Sequence, residues 1–119
     1  MANPFVHVEL QTRDIDKSKK FYASLFGWKL EEVPGMEYTV IKVGEGTGGG
    51  MMKNPVPGAP DSWLPYILVD DIAASTKKAQ ALGGTLCKDV TEIPNIGWFS
   101  VMSDPTGAVF ALWKPEPMK

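Results

Sequence analysis

The chain has 119 residues, of which 44% are hydrophobic and 22% charged, which fits one compact domain with its own core and excludes disordered and fibrous proteins. Twelve Lys and Arg against fourteen Asp and Glu leave a formal net charge of -2, so no broad basic field exists and we expect no nucleic-acid partner. Every apolar run is too short for a membrane helix, and the single cysteine, Cys87, has no partner for an intrachain disulfide; both features predict a cytoplasmic protein without a membrane partner.

The first half of the chain begins with strand periodicity and then changes to helical spacing. Residues 5–12 (FVHVELQT) alternate between a mixed face, which carries His7 and Glu9, and an apolar face. A helix with Asp14 or Asp16 as its N-cap is predicted to follow and to run to about residue 26, where Gly27 ends it.

Three short strands are predicted after this helix, separated by turn-forming prolines and glycines. They lie within residues 28–33, within residues 36–43, and from the glycine-rich residues 46–50 into Met51 and Met52. The first half therefore has the order βαβββ.

The second half repeats this plan. Four residues recur 57 positions later: Asp14, Ile15, Ser18 and Leu25 as Asp71, Ile72, Ser75 and Leu82. The predicted elements are a strand at 63–69, a helix at 73–82, and strands at 85–91, 98–102 and 108–113.

The repeat predicts a single domain over residues 1–119, with half-units of about 1–54 and 62–119 and a proline-rich linker at 55–61. The expected fold class is α+β, in which two tandem βαβββ units form curved mixed sheets around a cleft. We expect the ligand site in that cleft.

Three segments carry a family resemblance: HVELQTRD leading into FYASLFGW, VDDI leading into ALGG, and the closing DPTGAVFALW. Together they resemble single-domain proteins of the vicinal oxygen chelate superfamily, which includes glyoxalases, bleomycin-resistance proteins and dioxygenases. The resemblance implies a homodimer and, in metal-dependent members, a divalent ion held by His and Glu side chains from the first and fourth strands of each half.

Only one of those four ligand positions is retained. His7 falls on the first-strand histidine, but the matching position of the second half is Leu64, the last-strand position is Ala111, and residues 50–52 offer no carboxylate or imidazole. A catalytic metal needs about three protein ligands. We therefore expect no metal and no other cofactor.

His7 and Glu9 are the candidate catalytic residues. His7 is interpreted as a remnant ligand, a general base or a hydrogen-bonding group, and Glu9 on the same strand face either orients the imidazole or simply bonds to it. Some of the aromatic and methionine side chains are expected to line the ligand site, although core packing explains most of them equally well. The candidate ligand-binding residues are Met51, Met52, Tyr66 and Trp98.

The leading functional hypothesis is a glyoxalase-like or bleomycin-resistance-like protein whose cleft binds a small, partly apolar organic ligand without the family's metal centre. One alternative is a divalent-metal-dependent lyase, isomerase or dioxygenase of the same superfamily. The other is a non-catalytic subunit.

Overall fold

The computed structural model describes residues 2–117 and forms two βαβββ units, which confirms the predicted α+β class. The N-unit is Val6–Leu64, and the C-unit combines the residues up to Phe5 with those from Pro65 onward. The elements in chain order are β1 (Phe5–Thr12), α1 (Ile15–Phe26), β2 (Lys29–Glu32), β3 (Thr39–Lys42), β4 (Gly49–Lys53), β5 (Ser62–Leu68), α2 (Ile72–Ala81), β6 (Thr85–Ile93), β7 (Gly97–Ser103) and β8 (Val109–Pro115).

The N-unit is a mixed sheet with strand order β2-β3-β4-β1, in which β1 and β4 are parallel and the other pairs are antiparallel. Helix α1 is the crossover that a parallel pair requires. Leu10, Ile41 and Met51 form the buried core of this unit, and Tyr22 and Trp28 pack against it.

Helix α1 begins and ends where the sequence predicts. The Asp14 carboxylate accepts a hydrogen bond of 3.0 Å from the backbone N–H of Lys17, which satisfies one of the free donors of the first turn. Gly27 ends the helix with φ of 69°, a left-handed conformation that glycine adopts without steric cost, and its N–H donates to the Ala23 carbonyl at 2.9 Å.

The C-unit has the same plan, with strand order β5-β8-β7-β6 and a parallel β5–β8 pair. The Asp71 carboxylate caps α2 by accepting from the Ala74 N–H at 3.0 Å. Inside the unit, the hydroxyls of Thr76 on α2 and Ser100 on β7 are 2.9 Å apart, and both side chains are buried.

The start of the chain contributes to the C-unit. The Leu68 N–H donates to the Pro4 carbonyl at 3.0 Å, and the Asn3 amide donates to the Leu68 carbonyl at 2.8 Å. The prediction of half-units from the sequence repeat did not include this connection, because it joins residues that are distant in the sequence.

Within residues 2–117, neither helix has the length and apolar character that crossing a membrane requires.

Candidate functional site

The candidate site lies on one face of the N-unit sheet. Side chains alternate along β1, so His7, Glu9 and Gln11 share a face, and the face with Leu10 packs into the core beneath α1. The parallel register places Gly50 of β4 beside Glu9, and Met52 beside Gln11. We call the surface formed by His7, Glu9, Gln11, Gly50 and Met52 the His7 face.

A hydrogen bond between His7 and Tyr38 is the central contact of this face. Nε2 of His7 lies 2.6 Å from the Tyr38 hydroxyl, and the two rings stack with an interplanar angle of 23°. Gly50 makes this contact possible, since a Cβ atom at position 50 would overlap the Tyr38 ring and hydroxyl. A glycine in the strand interior thus gives the tyrosine room to reach the imidazole.

The electrostatic environment keeps the His7 imidazole neutral at neutral pH. Burial lowers the pKa of His7 below its ordinary value of 6.5, and the nearby charge of Glu9 offsets part of this effect. A neutral imidazole has one donor and one acceptor nitrogen. The neutral form therefore leaves one ring nitrogen of His7 as a hydrogen-bond acceptor.

Glu9 is a buried carboxylate with only 4% of its surface exposed. Nε2 of Gln11 donates to it at 3.0 Å, along the same strand face. Buried carboxylates require such donors because an isolated charge is costly to remove from water. The negative charge of Glu9 raises the pKa of His7, while its side chain accepts a hydrogen bond from Gln11.

The two candidate methionines lie on opposite faces of β4. Met51 is fully buried in the core with Leu10 and Ile41. Met52 is partly buried and shares the His7 face. Strand alternation thus separates two neighbours that the sequence analysis groups together, and Met52 is the one placed beside the polar residues.

The two candidate aromatic residues of the C-unit also occupy opposite faces of their sheet. Tyr66 contacts Phe99 and Trp113, each with a ring-centroid separation of 6.4 Å. Trp98 instead packs on the core cluster that contains Leu112, with the ammonium group of Lys114 5.6 Å from its ring centroid.

Sequence reasoning did not select Tyr38, Gln11 or Gly50 as site residues. Strand alternation already placed Gln11 beside His7 and Glu9, so that signal was present. Tyr38 lies within the strand predicted over residues 36–43, but alternation along that strand does not show that its side chain meets His7. The role of Gly50 depends entirely on the position of the Tyr38 ring.

The donor side chains of the described residues do not fit the family's metal centre. In the part of the chain that the structure describes, no three His, Cys, Asp or Glu side chains come together as a possible ion site. His7 directs Nε2 to a tyrosine hydroxyl, whereas Leu64 and Ala111, at two of the other ligand positions, are buried apolar residues.

The chain is similar in sequence to several known proteins. Residues 4–44 match the family model described as "Bleomycin resistance protein-like N-terminal". "Putative glyoxylase CFP32" of Mycobacterium bovis is 40% identical over 114 residues, which cover 93% of this chain and 44% of the relative. "Anthracycline biosynthesis protein DnrV" of Streptomyces peucetius is 27% identical over 128 residues, which cover 93% of this chain and 46% of the relative.

Solved structures agree with the sequence comparisons. A glyoxalase/bleomycin resistance protein/dioxygenase superfamily member from Vibrio splendidus 12B01 superposes with a TM-score of 0.67 at 18% identity, covering 97% of this chain and 100% of that one. The chain spans about half the length of the two relatives named above.

The fold and the site define an α+β protein of paired βαβββ units with a histidine on the sheet face opposite the helix. The family model and the glyoxylase relative support the resemblance to the vicinal oxygen chelate superfamily that the sequence motifs indicate, and the structural neighbour shares the fold.

Proposed function

We propose that this chain binds a small, partly apolar organic ligand on the His7 face, without the metal centre that metal-dependent members of the family use. The observation that carries the proposal is the 2.6 Å hydrogen bond between His7 Nε2 and the Tyr38 hydroxyl. This bond gives the retained histidine a protein partner, so the imidazole acts as part of a polar side-chain network and not as one member of a ligand set.

The composition of the face supports an organic ligand with both polar and apolar parts. His7 and Tyr38 offer a donor and acceptor pair, Glu9 offers a carboxylate, and Gln11 offers an amide. Met52 adds a flexible apolar side chain, which adapts to irregular ligand shapes. A hydroxyl or carbonyl group attached to an apolar body matches this set of contacts.

The relatives suggest which compounds to test first. One is named as a glyoxylase and another as an anthracycline biosynthesis protein. We therefore propose a panel of hydroxy-carbonyl compounds and anthracycline-type aromatic polyketides.

A thermal-shift screen of this panel tests ligand binding. A ligand that binds only the folded state raises the melting temperature in a concentration-dependent way. For such a ligand, we expect His7→Gln and Tyr38→Phe to reduce the shift, and Tyr22→Phe, whose ring packs beneath α1 on the opposite face, to leave it unchanged. Equal responses of all three variants would place the ligand elsewhere and contradict the proposal.

Metal analysis of the purified protein tests the second half of the proposal. With Ni²⁺, Zn²⁺, Mn²⁺ and Fe²⁺ each offered, we expect no ion to bind in a way that depends on His7. About one ion per chain, lost in His7→Ala, would instead favour the metal-dependent enzyme. Mass spectrometry of a bound compound after incubation then separates a protein that modifies its ligand from one that sequesters it.

A further inference from the structure

We infer that the ligand of the His7 face carries an anionic group, which Lys42 and Lys29 bind while His7 contacts its hydroxyl or carbonyl group. This inference rests on the function proposed above and specifies the chemistry of the ligand. The two lysines belong to β3 and β2, the outer strands of the N-unit sheet, and they lie beyond the residues that define the His7 face.

Strand register places both lysines and His7 in one row across the N-unit sheet. Lys29 of β2 pairs directly with Lys42 of β3. Extended by one residue, the antiparallel β3–β4 ladder places Gly48 beside Lys42, and the parallel β4–β1 ladder places the same glycine beside His7. A single position without a side chain therefore separates Lys42 from the imidazole.

Alternation along β2 and β3 directs both lysine side chains to the side of the sheet that His7 occupies. Ile41 is buried in the core beneath α1, and Leu30 packs against the same core. Their neighbours Lys42 and Lys29 therefore project from the opposite face, and both are exposed. Adjacent strands are about 4.8 Å apart, so two strand spacings, about 10 Å, separate Lys42 from His7 along the row.

The outer part of this face has a positive charge that the protein does not balance. Lys29 and Lys42 are directly opposite each other, an arrangement in which like charges destabilise a sheet. The Glu31 carboxylate pairs with Lys42 at 3.0 Å, whereas no carboxylate among the described residues forms an ion pair with Lys29. Glu9, the acid beside His7, is buried. An anionic group near the two ammonium groups reduces their mutual repulsion.

Gly48 leaves room for a ligand between Lys42 and His7. An added Cβ atom at Gly50 would overlap the Tyr38 ring, but one at Gly48 would meet a backbone oxygen at 3.1 Å and no side chain of the described residues within 4 Å. Glycine at such a position often marks a close approach of a ligand to the backbone. A flat apolar body over Gly48 is therefore suited to direct an anionic group toward Lys42 and a hydroxyl or carbonyl group toward His7.

A titration of the full chain with two matched anthraquinones tests the anionic group. The probes are 1,8-dihydroxyanthraquinone-3-carboxylate and its uncharged 3-hydroxymethyl counterpart. His7 is the only histidine, so its ring signals in nuclear magnetic resonance report binding at this face, and calorimetry gives the affinities. We expect both compounds to shift these signals in a saturable way. The carboxylate should bind about three- to tenfold more tightly at low ionic strength, and this advantage should shrink in high salt.

Substitutions of exposed charged side chains should change the affinity for the carboxylate alone. Lys29→Gln and Lys42→Gln should each weaken its binding by about three- to tenfold. Glu31→Gln, which frees Lys42 from its ion pair, should strengthen it by about two- to threefold. None of the three should change the affinity for the hydroxymethyl compound by more than about twofold. Lys20→Gln, on α1 at the opposite face, is the charge-matched control and should leave both affinities unchanged.

The outcomes separate this inference from the proposed function. Equal affinities for the two compounds, both weakened in His7→Gln, would overturn the inference and leave the proposed function intact. Carboxylate binding that His7→Gln does not weaken would also overturn the inference, because the anion would then bind away from the imidazole. Absence of any shift of the His7 signals with either compound would contradict both.

Discussion

His7 is the only histidine in the chain, so the titration of this one imidazole can be followed without interference from another. Its pKa lies below 6.5 in the folded protein because burial disfavours the charged form. The unfolded chain therefore takes up the proton at a higher pH than the folded chain. Between the two pKa values the unfolded state binds more protons, and stability falls as the pH falls.

The predicted pH dependence follows from that difference. The contribution of His7 to stability is fully present above about pH 6.5 and is lost as the pH drops toward the pKa of the folded state. Urea unfolding at pH 7.5 and 5.5 should show a smaller difference in unfolding free energy for His7→Gln than for the wild type. Equal pH dependence in both proteins would show that the imidazole titrates normally when folded.

The hydroxyl of Tyr38 should contribute measurably to stability as well as to ligand binding. Tyr38→Phe keeps the ring but removes the partner of His7, and a net loss of about 0.5–1.5 kcal/mol in unfolding free energy is expected. Chemical denaturation measures this loss. Tyr22→Phe, at a ring that stacks on Trp28, should change stability by less than about 0.5 kcal/mol. Equal losses in the two variants would show that the hydroxyl contact with His7 adds nothing.

The absence of a side chain at Gly50 of β4 lets the Tyr38 ring reach His7. Gly50→Ala should destabilise the protein by about 1–3 kcal/mol, since the new methyl group and the Tyr38 ring compete for the same space. In a Tyr38→Ala background the same substitution should cost much less, because the ring is gone. A double-mutant cycle measures this coupling. Additive effects of the two substitutions would refute steric competition.

Helix α2 is held to β7 by a buried pair of hydroxyls. Thr76 donates its proton to the Ile72 carbonyl at 2.7 Å, so the Ser100 hydroxyl donates to Thr76. Thr76→Val leaves a buried serine without its acceptor and should cost about 1–3 kcal/mol in urea unfolding. Ser100→Ala in addition should cost less than the sum of the two single substitutions. Strict additivity would contradict the shared bond.

The elements were predictable because each has a local signal. Alternation marks β1, an aspartate and a glycine bound α1, and the repeat of Asp14 as Asp71 marks α2. The candidate site was less predictable. Periodicity on β1 groups His7 with Glu9, but the partner of His7 comes from a loop residue 31 positions away, and no local pattern fixes that distance.

The positions of the aromatic side chains also depend on strand pairing, which local sequence patterns do not predict. Four tryptophans are visible in the sequence, yet only the pairing of β5, β7 and β8 shows that Trp113 shares a face with Tyr66 while Trp98 faces the core. Composition identifies aromatic residues that can line a site. The register of the strands decides which of them do not point into the core.

At the scale of the whole molecule, similarity to the superfamily explains the fold but not the chemistry. Fold is carried by core positions such as Leu10 and Ile41, whereas metal chemistry depends on a few ligand positions, two of which the resemblance assigns to the buried residues Leu64 and Ala111. Substitutions at those positions leave the core packed. A shared fold therefore does not by itself imply a shared chemistry.

Residues 3 and 4 are far from Leu68 along the chain but bond to it in the folded protein. Removing residues 2–4 deletes the Asn3 donor to the Leu68 carbonyl and replaces the Pro4 carbonyl, the acceptor of the Leu68 N–H, by that of an untethered terminal residue. We expect faster hydrogen exchange at Leu68 and its neighbours in β5, and a loss of about 1 kcal/mol in unfolding free energy. Amides of β2 and β3 should exchange as in the intact chain, although they are nearer in sequence to the deletion. Asn3→Ala, which removes only the side-chain bond, should have the smaller effect, and faster exchange confined to β2 and β3 would show that the chain start supports the N-unit instead.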